Sequence, residues 1–405
     1  MIDHRKLGRE LELFCSDPLA GAGLPIWLPD GAAARHAVEE YLRETERRAG
    51  YRHVVSPPLG RRELFEQSGH AEHFSDDMFP PMRMSAGDEL VLRPGLCPHH
   101  ALVFRARGRS YRELPLRIAE IGGMYRSERS GVLGGLSRVR AISLNDGHTF
   151  CADDDLVVRA EVRRELALIQ QVHADLGVRV SGFRLSLRGE GSKYVDDPAM
   201  WERASAVLRA ALDAAGVDYA EAPGEAAFYG PKIDIQVRDD AGREQTLSTV
   251  QIDYDKPARF GLSYVAADGS RQVPVMIHRS LAGSMERLFA HLIEVHGGAF
   301  PAWYAPVQAE VLPLSDLEPA HAFQRAGIEA GLREEVSADG SLGSRIRRSA
   351  LRKVPYIAVI GPREAANGQV ALRLRDGREL PPMPVAEALG RIGEVVAKRS
   401  FDLSG

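Results

Sequence analysis

One thiol and two imidazoles are the residues most able to do chemistry together. Cys97 opens a helix-like run in Leu96-Cys97-Pro98-His99-His100, His148 ends Asn145-Asp146-Gly147-His148 in a strand-like run, and His278 follows the apolar run 273–277. A thiolate with two imidazoles is a donor set that holds Zn²⁺ through three protein ligands and leaves one position for a substrate. The three are scattered rather than set as C-x-x-C, so spacing alone fits equally a buried thiol and two hydrogen-bonded core histidines. His99 and His100 read as surface or supporting residues. A second group is cationic: Arg126 in Tyr125-Arg126-Ser127-Glu128, and Arg287 in Gly283-Ser284-Met285-Glu286-Arg287. Arginines carried by separate elements suit phosphate chemistry, in which charge spreads over transferring and leaving oxygens, and Glu128 could accept from an amine. Either arginine alone fits a surface ion pair as well. Neither GxxxxGK[ST] nor GxGxxG occurs, which excludes a P-loop and a Rossmann nucleotide site.

The elements that must position these groups divide the chain. Its 405 residues, 44% hydrophobic and 27% charged, describe a folded protein of two or three domains. Periodicity predicts helices over 31–48, from 98 onward, 153–176, 197–215 and 279–295. Strands are expected over 51–57, 89–93, 117–125, 138–150, 232–237 and 246–254. Past the Pro-Ala-Trp-Tyr-Ala-Pro segment at 301–306, strands 308–312, 333–336, 356–360 and 370–375 alternate with helices 318–330, 342–353 and 385–398. This predicts an α+β architecture: a larger antiparallel domain over 1–302, then a compact α/β domain over 303–405 on a mixed or parallel sheet. The Gly- and Ser-rich loop 127–137 is the most conspicuous functional loop. A net charge of −4 excludes a globally basic nucleic-acid binder. It leaves a local basic helix, Arg345, Arg347, Arg348, Arg352 and Lys353, suited to phosphates. Three cysteines form no disulfide framework. With no apolar run of membrane length and no signal-like start, the expected location is the cytoplasm.

Several longer segments carry a resemblance. Asp3-His4-Arg5-Lys6-Leu7-Gly8, the helix and strand 30–57, Ser110 through Glu128, Ala227-Phe228-Tyr229-Gly230-Pro231-Lys232, Thr249-Val250-Gln251-Ile252-Asp253 and Gly283 through Arg287 occur in order along the chain. Together the chain resembles the threonyl-tRNA synthetases, a family of class II aminoacyl-tRNA synthetases, over the catalytic core and an anticodon-binding-like domain. The resemblance implies a class II antiparallel sheet flanked by helices. It implies ATP-dependent activation of threonine to threonyl-adenylate, then transfer to tRNA(Thr). It also implies one Zn²⁺ per subunit on Cys97, His148 and His278, Mg²⁺ with ATP, and a homodimer built on the class II motif 1 segment 30–57.

By the same resemblance, Asp146, Tyr229 and Gln251 hold the amino acid. Arg126, Glu128, Arg287, Ile142 and Thr249 surround the nucleotide. Arg126, Arg287, His70 and Lys232 take part in the reaction, His70 near the terminal ribose. Leu144, Ile142 and Thr246 stand where the family usually has Gln, Phe and Gln. In the last domain Glu364 and Arg373 match recognition positions, whereas Asp339 stands in place of an Asn. These departures keep open a related β-hydroxy amino acid as substrate, or adenylation with transfer to a non-tRNA acceptor such as a carrier protein. They also leave a non-catalytic paralogue as a third class. The family's N-terminal domains, including its seryl-tRNA editing domain, are expected to be lacking.

Overall fold

A computed structural model describes residues 2–85, 87–191, 194–239 and 241–404. The chain forms two compact units, one of Ser16–Pro25 and Tyr41–His291, the other of Ile2–Cys15, Ile26–Glu40 and Leu292–Gly405.

The first unit is built on an eight-stranded sheet. From one edge its strands run Tyr219–Pro223, Val180–Leu187, Lys232–Arg238, Glu244–Asp253, Val275–Ser280, Ala141–Cys151, Leu116–Tyr125 and Arg52–His53. All neighbours are antiparallel except the outermost pair at each edge. Helix Asp155–Leu176 starts where the Asp154 carboxylate accepts from Leu156 N at 2.8 Å and ends at left-handed Gly177. Its Val158, Val162, Leu166 and Ile169 are buried at helical spacing. Helix Cys97–Arg105 carries Pro98 in its first turn and sends Ala101 and Phe104 into a core with Leu116, Ile118 and Phe150. That packing fixes where its first residue, Cys97, sits.

Two expectations change here. The run 279–295 is not one helix, because Val275–Ser280 is a central strand hydrogen-bonded on both sides. The chain then turns through Gly283 at φ +68, where a Cβ would lie 2.4 Å from the Leu247 carbonyl oxygen, so glycine is required. The Ser284 hydroxyl accepts from Arg287 N at 3.1 Å, and helix Met285–His296 begins. Of the expected strand 51–57 only Arg52–His53 pairs, with Ile118 and Ala119. Pro57 and Pro58 have no N–H with which to extend the ladder.

The second unit holds a mixed five-stranded sheet in the order Glu334–Val336, Ala309–Pro313, Tyr356–Ile360, Gln369–Leu374, Met383–Pro384. Its first two pairings are parallel and the last two antiparallel. Val311, Phe323, Tyr356, Leu372 and Ile392 are among its core residues. Glu334 is buried there with neither carboxylate oxygen hydrogen-bonded, beside Gly327. Burial pushes its pKa up to about 8. The unfolded chain releases this proton near the ordinary value of 4.5, the folded unit only near 8. Between those values the folded state binds more protons, so stability falls as pH rises. Glu334→Gln is expected to raise the midpoint of thermal unfolding of the full chain at pH 8.5 by several degrees, about 1–2 kcal/mol, and to leave it nearly unchanged at pH 5. Equal midpoints at pH 8.5, measured by calorimetry, would contradict this.

Among the described residues no helix is long and apolar enough to cross a membrane.

Candidate active site and metal centre

Register brings the scattered ligands together. His148 and His278 are direct cross-strand partners. Their rings meet edge to face, with His148 Nε2 2.9 Å from His278 Nδ1. Cys97 completes the group, one ligand atom from each residue lying within 4.8 Å of the others. All three side chains are buried.

Each imidazole has a partner on its far side. His278 Nε2 lies 2.9 Å from Asp253 Oδ2, and the buried Lys256 Nζ lies 3.1 Å from the same oxygen. Burial opposes the Asp253 charge, yet Lys256 and His278 draw the carboxyl down to about 2. Asp253 therefore accepts from His278 Nε2–H, which leaves Nδ1 bare and facing His148. His148 Nδ1 lies 2.7 Å from His100 Nδ1, and His100 Nε2 lies 3.2 Å from Glu120 Oε2. Burial also lowers the pKa of His148 and His278, keeping both rings neutral, as ligation requires. Burial pushes the Cys97 thiol up to about 12, so thiolate forms there only with a cation to stabilise it. A sulfur with two neutral nitrogens fits zinc by donor type. The residues present fit the metal that the resemblance implies.

A cavity of about 570 Å³ opens beside this centre. Its walls include His70, Cys97, Arg126, Ile142, Asp146, Tyr229, Lys232, Thr249, Gln251, His278 and Arg287. His148 lies beneath the wall, fully buried. Glu128 is not part of the wall; it is ion-paired with Arg138 at 2.8 Å. Burial pushes the Asp146 carboxyl up to about 7. The Tyr229 hydroxyl donates to Gln251 Oε1, and its ring stacks on His278 with centroids 4.9 Å apart. Lys256 Nζ sits 3.0 Å from the Tyr229 centroid, a cation–π contact that holds the ring from behind. His70 is held through Nδ1 by Ser68 Oγ at 2.7 Å, with Nε2 3.9 Å from Cys97 Sγ.

The cationic end is equally specific. Arg126 rests on the Phe74 ring, 5.2 Å from its centroid, and its Nε is buried with no hydrogen-bond partner. Arg287 is held by the carbonyl oxygens of Ser137 at 3.3 Å and Thr246 at 3.2 Å. Lys232 Nζ lies 2.5 Å from Asp234 Oδ2, which also accepts from Ser186 Oγ at 2.7 Å. Leu144, Ile142, Met124 and Leu247 make part of the wall apolar.

Sequence reasoning missed Asp253, Lys256 and Glu120 as parts of this site, and left His100 only a supporting place. Two signals were available. His100 lies three residues after Cys97 on a helix, and Asp253 two after Gln251 on a strand, each spacing placing the pair on one face.

In the second unit, most of the expected basic helix is engaged within the protein. Arg345 donates to the Pro313 and Ser337 carbonyl oxygens at 2.7 and 2.9 Å. Arg352 pairs with Glu335 at 2.7 Å and Asp30 at 3.1 Å, and Arg348 donates to Ser337 Oγ. Glu364 accepts from Gly361 N at 3.0 Å, and Arg373 pairs with Glu379 at 2.7 Å. Arg347 and Asp339 are exposed.

Known proteins resemble the chain along nearly all of it. Residues 82–296 match the tRNA synthetase class II core domain (G, H, P, S and T), and residues 308–394 match an anticodon binding domain. The threonine–tRNA ligase of Geobacillus kaustophilus is 46% identical over 403 residues, 98% of this chain and 61% of that protein. That of Bacillus velezensis is 49% identical over 377 residues, 92% of this chain and 58% of that protein. The chain thus spans about 60% of the length of these curated relatives. A crystal structure described as the RNA binding domain of threonyl-tRNA synthetase from Cryptosporidium parvum superposes with a TM-score of 0.91 at 33% identity, covering 97% of this chain and 98% of that one. Sheet order, a cavity at the central strands and matches on both sides of residue 300 agree: the chain belongs to the threonyl-tRNA synthetase family of class II tRNA synthetases.

Proposed function

We propose that the chain activates threonine with ATP to threonyl-adenylate and transfers the threonyl group to tRNA(Thr), selecting the amino acid through zinc. The observation that carries this is that Cys97, His148 and His278 converge, and that Cys97 and His278 line the same cavity as Arg126, Arg287 and Asp146. Cys97, His148 and His278 would hold Zn²⁺, which would supply a Lewis acid able to take up the amine and the hydroxyl of the substrate. Asp146 would accept from the substrate's hydroxyl, and Tyr229 with Gln251 would close the amino-acid side. Arg126 would clamp the α-phosphate and the substrate carboxylate, which brings the attacking oxygen to phosphorus, and Arg287 would hold the γ-phosphate of an ATP bound with Mg²⁺. Ile142 and Thr249 would border the nucleotide, with Glu128 accepting from its amino group. Lys232, steadied by Asp234, would lie beside the adenylate. His70, kept neutral by burial, would assist the terminal ribose hydroxyl in the transfer. Two copies would pair through the segment 30–57, and a reducing cytoplasm would keep the Cys97 thiol available.

Selection follows from chemistry rather than shape. An apolar pocket separates isosteres by only ~10²-fold, whereas a site built to engage a hydroxyl rejects an analogue lacking it by ~10⁴ or more. Amino-acid-dependent ATP–pyrophosphate exchange tests the reading. Threonine is expected to support exchange at least ~10³-fold better than valine, with loss of that exchange after zinc is stripped by a chelator. Equal exchange with both amino acids, or none with threonine, refutes it. Aminoacylation of purified tRNA(Thr) tests the acceptor.

A further inference from the structure

We infer that Glu120 and His100 are positioning residues for the metal centre: acting in series, they fix the His148 tautomer so that Nε2 is presented bare to a cation. This rests on the proposed zinc site and adds two residues to it.

The geometry leaves little choice about where the protons are. Glu120 Oε1 receives Ser56 N–H at 3.2 Å and Arg93 at 3.1 Å. Oε2 receives the Ser56 hydroxyl at 2.6 Å, and the oxygen of that hydroxyl in turn accepts from Arg93 at 2.6 Å. The remaining neighbour of Oε2 is His100 Nε2 at 3.2 Å. An ionised carboxylate only accepts, so the His100 proton is on Nε2 and its Nδ1 is an acceptor. At 2.7 Å from that acceptor, His148 Nδ1 must carry the other proton, and His148 Nε2 is left with a lone pair. Asp253 does the same to His278 from the opposite side. Two carboxylate-ended chains thus point two lone pairs at each other across 2.9 Å. Such an arrangement repels itself unless a cation lies against both nitrogens, so the chains prepare a cation site rather than a histidine–histidine hydrogen bond.

The fold builds the relay from short-range rules. Glu120 pairs with Asp146 across the Leu116–Tyr125 and Ala141–Cys151 strands, which puts it diagonal to His148 on the same face. His100 lies one helical turn from Cys97, so one helix supplies both a ligand and the support of another ligand. His100 is fully buried.

Glu120→Gln tests this. The two fixed donors at Oε1 retain the amide oxygen there and turn the amide NH₂ toward His100. His100 must then accept at Nε2 and donate from Nδ1, which forces the His148 proton onto Nε2. Zinc affinity of the full chain, measured by competition with a chromophoric chelator, is expected to fall about 10–100-fold, the usual effect of losing such an outer partner. In metal-free protein, ring ¹⁵N shifts are expected to show His100 protonated at Nε2 in the parent and at Nδ1 in the variant, a change that loosened packing would not produce. Should Glu120→Gln not fold, His100→Leu removes the acceptor while leaving Arg93 paired with Glu120, and the same loss of zinc affinity is expected. Unchanged affinity in whichever variant folds, or a His100 ring protonated at Nδ1 in the parent, overturns the inference. A parent chain that binds no zinc overturns instead the metal reading beneath it, and the ¹⁵N pattern still decides the relay.

Discussion

Arg126→Ala is expected to lower the rate of threonine-dependent ATP–pyrophosphate exchange by about 10²–10³-fold, or about 3–4 kcal/mol of transition-state stabilisation. The guanidinium lies half-buried in the cavity wall, stacked on Phe74, and forms no ion pair among the described residues. Burial works against its own charge more than Asp77 supports it, lowering its pKa, so an anion at this point regains electrostatic energy lost on burial. A donor placed in advance costs no reorganisation when charge develops on the α-phosphate. Its removal should therefore act mainly on kcat, with a smaller rise in the KM for ATP. Because Nε has no internal partner, the fold should be unaffected. A loss below ~3-fold, with native circular dichroism, would remove Arg126 from the proposed phosphate clamp.

The second large effect concerns stability beneath the site. Arg279, next to His278, is fully buried against Glu46 at 2.8 Å and Glu165 at 3.5 Å, with the Tyr51 ring 4.3 Å away. Asn145 is tied to the same cluster, its amide donating to Glu46 at 2.7 Å while its oxygen accepts from Leu281 N at 3.0 Å. A Cβ at Gly147 would come within 2.6 Å of the guanidinium carbon, so glycine before His148 leaves this arginine the place it occupies. Arg279→Met takes the buried cation away from Glu165 and leaves Glu46 with only His53 as an ionic partner, and is expected to reduce unfolding stability by about 3–5 kcal/mol in urea titrations. Combining it with Glu165→Gln should restore at least ~1 kcal/mol, because the two changes share one network. Strict additivity would show that the cluster does not act as a unit.

Where the sequence is locally insistent, expectation and structure coincide. The strand Tyr356–Ile360 and the helix Val385–Lys398 have the expected bounds. Both are continuous patterns, one apolar and one with helical spacing, between clear breakers. Elsewhere the local signal was ambiguous. Residues 279–295 contain apolar positions at helical spacing, but a strand hydrogen-bonded on both sides claims the first of them. The short strands Leu59–Arg61, Met82–Arg83 and Tyr264–Val265 went unpredicted, since two or three residues become a strand only by virtue of a partner. The basic helix near 345 reads as a phosphate comb, yet the acceptors that occupy Arg345 and Arg352 come from distant segments.

From its order of residue types the chain determined which chemistry is available: a thiol at the start of a helix, imidazoles, and arginines carried on separate elements. Those choices are written in side-chain identity and need no neighbour to be recognised. Only the tertiary structure decided which of those groups meet. Strand register set His148 opposite His278, and the burial of Glu120, Asp253 and Lys256 set which nitrogen of each ring is bare. A proton's position depends on the partner across a hydrogen bond and on the water excluded around it, and both are properties of packed, distant segments that no local pattern encodes.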